Sequence, residues 1–145
     1  MSRSFVLNLV HCVFSTKGRA QLIRDPEPLW AYFRGIARNC GFDILAVGGT
    51  DNHVHMLLSV PPGRNLSELM RDLKANSSRH LRERFRTFAW QDGYGAISVS
   101  PSQVEAVKNY IACQREHHGK QTFDDEYLML LQKSGVQCER EQVLG

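Results

Sequence analysis

The order of apolar and amphipathic segments predicts an α+β fold. The expectation is a ferredoxin-like βαββαβ sandwich with an additional C-terminal helix and a short terminal helix. Three observations carry it. Four apolar segments have strand length; helical-period segments separate the first from the second and the third from the fourth; and only turn residues part the second from the third. No break in composition divides the chain, so residues 1–145 read as a single domain.

Ser4 to Ser15 (SFVLNLVHCVFS) is rich in Val, Leu and Phe and ends at polar residues, as a first strand does. Asp25-Pro26 then offers an N-cap with proline at the first helical position. Leu29, Phe33, Ile36, Ala37 and Cys40 recur at helical spacing before Gly41. Phe42 to Val47 and His53 to Val60 are apolar strands around the turn residues Gly48 to Asn52, a hairpin. Asn65-Leu66-Ser67-Glu68 resembles a capping box, opening a helix with Leu66, Leu69, Met70, Leu73 and Leu81 on one stripe. Tyr94 to Ser100 is the fourth strand. Pro101, a Ser102 cap and Glu105 start a third helix expected to run unbroken to about His118, and Phe123 to Leu131 forms a last helix before a polar tail. In this topology the first and third strands pair at the centre of the sheet.

Composition narrows the function classes. Hydrophobic content of 42% and charged content of 23% suit a globular domain and exclude a disordered chain. No run is long and apolar enough for a membrane span, and residues 1–20 lack the order of a signal peptide, so a cytoplasmic protein is expected. Cys12, Cys40, Cys113 and Cys138 form no CxxC and read as reduced thiols. A net charge of +3 permits nucleic-acid binding without demonstrating it.

Chemistry concentrates in two places. In DNHVHMLLSV, His53 and His55 lie on one face of a strand roughly 6.6 Å apart, while Val54, Met56, Leu58 and Val60 lie on the other. Two imidazoles so placed can share one metal ion or simply hydrogen-bond at a sheet surface, and the spacing alone leaves both open. On the third helix, Tyr110 and Gln114 stack at i, i+4 with His117 near, beside the stripe of Val104, Val107 and Ile111. A tyrosine there is a nucleophile or a boundary residue with a solvated tip. A phenol of ordinary pKa near 10 needs help to attack, which a divalent metal polarising a phosphodiester can give.

HVH (His53 to His55), WQDGYGAISVS (Trp90 to Ser100) and YIACQ (Tyr110 to Gln114), in this order, resemble the HUH-type tyrosine transposases of the IS-two-hundred-like transposase A family. The resemblance spans almost the whole chain. It implies a metal-dependent endonuclease and strand transferase for single-stranded DNA with hairpin ends, with Tyr110 as catalytic nucleophile. It also implies His53, His55 and Gln114 as ligands of Mg²⁺ or Mn²⁺, a 5′-phosphotyrosine intermediate, and a homodimer whose active sites are shared between subunits. Gly119 and the loop before Ser102 are the joints such an exchange would use.

Tyr32 has no amide or histidine one helical turn away, Tyr94 starts a strand between Gly93 and Gly95, and Tyr127 sits among Phe123, Leu128 and Leu131 as a packing residue, so all three are weaker nucleophile candidates. For DNA contact the candidates are Lys17, Arg19 and Arg24, then Arg71, Arg79, Arg82 and Arg86, which fall opposite the apolar stripe of their helix. A solvated basic face is the alternative until the resemblance is considered. Asp51 and Asn52 are candidates to orient the histidines, or turn formers. Two other functions compete: a host-co-opted HUH nuclease acting on repeated palindromes, and a non-catalytic single-strand-binding module. The second is weakened by the lack of an evident stacking pair of aromatics on the strands.

Overall fold

The computed structural model of the chain describes residues 3–119 and 121–144. Four strands, β1 (Leu9–Ser15), β2 (Asp43–Gly49), β3 (His53–Ser59) and β4 (Gly95–Val99), form an antiparallel sheet in the order β2-β3-β1-β4. The helices are α1 (Pro26–Asn39), α2 (Leu66–Arg82), α3 (Val104–Ala112), α4 (Gln114–His118), α5 (Phe123–Lys133) and α6 (Arg140–Leu144). The first four strands and first two helices follow the expected βαββαβ order, with β1 and β3 at the centre.

Strand alternation divides the molecule into three layers. Cys12 and Phe14 of β1 and Val54, Met56 and Leu58 of β3 turn to one face, where they pack with Leu29 and Phe33 of α1 and Leu69 and Leu73 of α2. Each such buried side chain stabilises the fold by about 1.5–3 kcal/mol. The opposite face carries two smaller apolar clusters: Leu9, Leu57 and Ile111 under α3, and Val13, Phe123, Tyr127, Leu128 and Leu131 under α5. Between these clusters the strands present His11, His53 and His55, all buried.

Two glycines let the covering helices approach. A Cβ on Gly48 of β2 would stand 2.5 Å from the carbonyl oxygen of Ile111, and one on Gly95 of β4 would stand 2.6 Å from the Tyr127 ring. α3 and α5 therefore lie against the sheet on either side of the buried histidines.

Several boundaries differ from the sequence reading: β2 runs on through Gly48 and Gly49, which read as turn, and the polar tail carries α6. β1 begins at Leu9 and not Ser4, because its neighbours end there: Leu9 pairs with Ser59 and with Val99. Just before it the Asn8 carbonyl accepts the Val60 N–H at 2.8 Å, and further out Phe5 is 93% exposed. The third helix is not continuous. Pro101–Gln103 is a 3₁₀ turn, and the chain kinks at Cys113 (φ −101°, ψ 24°) between α3 and α4. At the kink the carbonyl of Tyr110 accepts from the Gln114 side-chain amide at 3.3 Å, a bond that competes with regular helix.

Candidate active site

β3 supplies the first two groups. His53 and His55 are both 0% exposed on the face covered by α3 and α5, and Val54 between them is turned into the main core. The kinked helix supplies the next two. Gln114 Oε1 lies 2.8 Å from His53 Nε2, and the Tyr110 ring stands edge-on to His55 with centroids 5.6 Å apart. The i, i+4 relation between Tyr110 and Gln114 survives the kink, held by their amide-to-carbonyl bond.

α5 supplies a group that the sequence reading did not assign. Glu126 is buried, with Oε1 3.0 Å from His55 Nε2, 3.7 Å from His53 Nε2 and 3.0 Å from His118 Nε2. Its other oxygen accepts the hydroxyl of Tyr110. One donor atom from each of His53, His55 and Glu126 falls within 4.8 Å of the others, close enough to hold a single metal ion.

An outer layer fixes the rings. His53 Nδ1 lies 2.9 Å from Asn52 Oδ1 and 3.0 Å from Thr50 Oγ1, and Phe123 stacks on the same imidazole at 4.5 Å. His55 Nδ1 lies 2.9 Å from His11 Nε2 across the β1–β3 pair. Arg19 ties α5 to the end of β1: its guanidinium donates to Ser15 Oγ and Asp124 Oδ1, both at 2.6 Å, and sits over the Phe123 ring.

Burial sets the protonation. It lowers His53 and His11 from 6.5 to about 3, with the nearby His55 adding to both shifts, so each ring is neutral at physiological pH. Burial works against the Glu126 charge, but hydrogen bonding and charge from His55, the Tyr110 hydroxyl and His118 outweigh it, holding the carboxyl well below its ordinary range. Tyr110 is pushed up by burial and by its bond to the Glu126 carboxylate.

The donor set fits a divalent cation. If neutral His53 donates its Nδ1 proton to Asn52 Oδ1, its Nε2 lone pair faces the Gln114 oxygen at 2.8 Å. Two acceptors so close repel unless a cation joins them. Two imidazole nitrogens, an amide oxygen and a carboxylate oxygen make a mixed set of borderline and hard donors. A cavity of about 1010 Å³ bordered by Thr50, Asn52, Arg115, His118, Gln121 and Phe123 opens beside the cluster, separated from the buried donors by the residues that pack on them.

The basic candidates fall in separate places. Arg24 is exposed and lines a smaller cleft with Gln21, Asp51 and Arg115, beside that mouth. Lys17 is exposed on the turn after β1. Arg71, Arg79, Arg82 and Arg86 are exposed on or just after α2, in the layer on the far side of the sheet from the histidines. Of the two proposed orienting residues, Asn52 meets His53, whereas Asp51 gives its carbonyl to Ile23. The His117 side chain lies outside the described residues.

Glu126 and His11 had signals that went unread. Phe123, Glu126, Tyr127, Leu130 and Leu131 follow the i, i+3, i+4, i+7, i+8 pattern of a buried stripe, so an acid sits where an apolar residue belongs. His11 shares the inward parity of Leu9 and Val13 on an apolar strand.

Comparison with known proteins shows the family and the fold. The ISDra2 transposase TnpA of Deinococcus radiodurans is 24% identical over 125 residues, covering 79% of this chain and 89% of that protein. A crystal structure of a Deinococcus radiodurans R1 protein described as a transposase superposes with a TM-score of 0.62 at 25% identity, covering 79% of this chain and 96% of that one. A REP-associated tyrosine transposase bound to a REP hairpin shares the fold, with a TM-score of 0.63 at 18% identity over 82% of this chain and 73% of that one. The family described as transposase IS200 like matches residues 5–114, from the approach to β1 through Gln114, and the chain belongs to that family.

Proposed function

We propose that this protein cleaves single-stranded DNA and transfers the cut strand through a covalent bond to Tyr110. The observation that carries the reading is the meeting, within one chain, of the Tyr110 hydroxyl with the donor cluster of His53, His55, Gln114 and Glu126. Tyr110 Oη attacks phosphorus and the 3′ oxygen leaves as a hydroxyl, giving a 5′-phosphotyrosine. A 3′-hydroxyl from another strand then displaces the tyrosine, so the energy of the broken bond is kept and no nucleotide cofactor is needed.

His53, His55 and Gln114, joined by Glu126, would hold the divalent metal, Mg²⁺ or Mn²⁺, which when bound supplies positive charge to the phosphate oxygens. Tyr110 is kept at the edge of this cluster by its bond to Glu126 and its packing on His55. The helices bury the histidines, while Tyr110 stays half-exposed at their edge.

Hairpins at the ends of a mobile element are the proposed substrate, supported by the family and by the hairpin-bound relative of the same fold. Arg24, beside the mouth, and Lys17, on the turn after β1, would contact phosphates, with Arg71, Arg79, Arg82 and Arg86 taking the hairpin stem. Arg19 would join them from a position where its guanidinium also holds α5. The proposed assembly is a homodimer in the cytoplasm of a bacterial or archaeal cell, with helix exchange at Gly119 and at the loop before Ser102. In a single chain Tyr110 already meets its own histidines, so exchange would swap equivalent helices and not complete a missing site. A second reading, a nuclease acting on repeated palindromes of its host, draws on the REP-hairpin relative.

Incubation of the purified protein with hairpin-bearing single strands and Mn²⁺ tests the proposal. Cleavage with a covalent protein–DNA adduct, lost on chelation and in a folded Tyr110→Phe variant, is expected. Metal-independent cleavage would remove the metal site, and an undiminished adduct in the variant would move the nucleophile. Gel filtration tests the dimer, which elution as a monomer at working concentration would exclude.

A further inference from the structure

Arg115 has no part in the chemistry proposed for Tyr110, yet it borders two adjoining openings beside the catalytic helix. One is the cavity of about 1010 Å³ next to the donor cluster, where it stands with Thr50, Asn52 and His118. The other is a polar cleft of about 240 Å³ that it shares with Gln21, Ile23, Arg24 and Asp51. Gln21, Asp51 and Arg115 line both, so the two openings meet at these residues.

Short links tie the cleft to the active site. Arg115 follows Gln114, whose side-chain oxygen lies 2.8 Å from His53 Nε2. Successive helical residues point about 100° apart, and here Gln114 is buried while Arg115 is exposed. Asp51 precedes Asn52, whose Oδ1 lies 2.9 Å from His53 Nδ1. The Asp51 carbonyl also accepts the N–H of buried Ile23 at 2.9 Å, which fixes the backbone next to Arg24. Arg115 and Asp51 thus each stand one residue from a group that meets the His53 ring.

Two guanidiniums and one carboxylate leave the cleft net positive. Among the described residues, neither Arg24 nor Arg115 forms an ion pair or hydrogen bond through its side chain, with Asp51 or with any other acid. Two like charges on one concave wall repel, and an anion placed between them turns that repulsion into attraction. The planar fork of a guanidinium suits the paired oxygens of a phosphate. We propose that Arg115 and Arg24 clamp one phosphate of the DNA strand, a neighbour of the phosphate that Tyr110 attacks. The clamp joins a residue beside α1 to the helix that carries Gln114, so a bound strand holds α4 against the body of the protein.

The inference rests on the reading of the protein as a single-strand DNA transferase, and its probe is a hairpin-bearing strand that wild type cuts in Mn²⁺. The phosphates on either side of the cut are replaced one at a time by neutral methylphosphonates. Binding in chelator is then followed by fluorescence anisotropy for wild type, Arg115→Ala and Arg24→Ala. In wild type, one methylphosphonate beside the cut should weaken binding about three- to tenfold. Each variant should bind the unmodified strand more weakly by a similar factor, with a salt slope smaller by about one. Each should also be indifferent to the methylphosphonate at that same position and keep wild-type sensitivity at the others. A variant that only disturbed the fold would lose affinity without losing one position. No sensitive position beside the cut in wild type, unchanged profiles in the variants, or sensitivity lost at two different positions overturns the clamp and leaves the cleavage reading standing. A wild type that cuts none of these strands overturns both. If one variant does not fold, the other carries the same comparison.

Discussion

Glu126 accepts the hydroxyl of Tyr110 with one carboxylate oxygen and lies 3.0 Å from His55 with the other. The acid thus bridges the nucleophile and the donor cluster, and it does so from α5, beyond the residues that match the family. A carboxylate in this position adds a hard oxygen donor to two imidazoles and fixes the direction of the phenol.

Replacing Glu126 by Gln removes the charge while keeping an oxygen. Mn²⁺ affinity by calorimetry should fall about ten- to a hundredfold, with a parallel loss of cleavage. Affinity equal to wild type would confine the metal to His53, His55 and Gln114.

Acid should unfold the metal-free protein earlier than its carboxylates alone require. His11 and His53 titrate at about 3 when folded and near 6.5 when unfolded, so between these values the unfolded chain binds more protons. Stability then falls as pH falls from 6.5, by up to about 1.4 kcal/mol per pH unit for each ring. Glu126, with a folded pKa depressed from 4.5, adds to the loss below that value. Melting temperatures in chelator should be level above pH 7 and decline steadily from 6.5 to 4. A flat profile across that window would mean that neither ring is buried neutral.

Close packing of α3 on β2 gives a paired test. Gly48→Ala places a Cβ 2.5 Å from a backbone oxygen that cannot swing aside, whereas Gly35 in α1 has nothing within 4 Å. Gly48→Ala should destabilise by about 1–3 kcal/mol and reduce cleavage as Tyr110 is displaced, while Gly35→Ala should gain about 0.5–1 kcal/mol from helix propensity. Equal melting temperatures for the two variants would show that the helix does not press on Gly48.

Removing the charges of Lys17 and Arg24 should weaken hairpin binding similarly across sequences and flatten its salt dependence by roughly one to two units of slope. The same measurement on Arg79→Ala with Arg82→Ala tests whether the far layer shares the DNA. A salt slope identical to wild type in both double variants would place the phosphates elsewhere.

Periodicity made the sheet legible, because period 2 on β3 assigns Val54 to the core and both histidines to the opposite face without knowledge of what covers it. The i, i+4 spacing likewise set Tyr110 over Gln114. Two things escaped. The start of β1 depends on where β3 and β4 end, a property of pairing and not of the β1 segment, so the apolar residues Phe5 to Leu7 read as strand and are exposed. Glu126 depends on the docking of α5 over the histidines, and in the sequence it stands behind Asp124 and Asp125, where acids at a helix N-terminus are ordinary.

The central claim is that Tyr110 becomes bonded to DNA. Digestion of the trapped adduct followed by mass spectrometry of the nucleotide-linked peptide tests it most directly. A 5′-phosphate on the peptide containing Tyr110 is expected, and a modification mapped to Tyr32, Tyr94, Tyr127 or a serine would contradict the assignment.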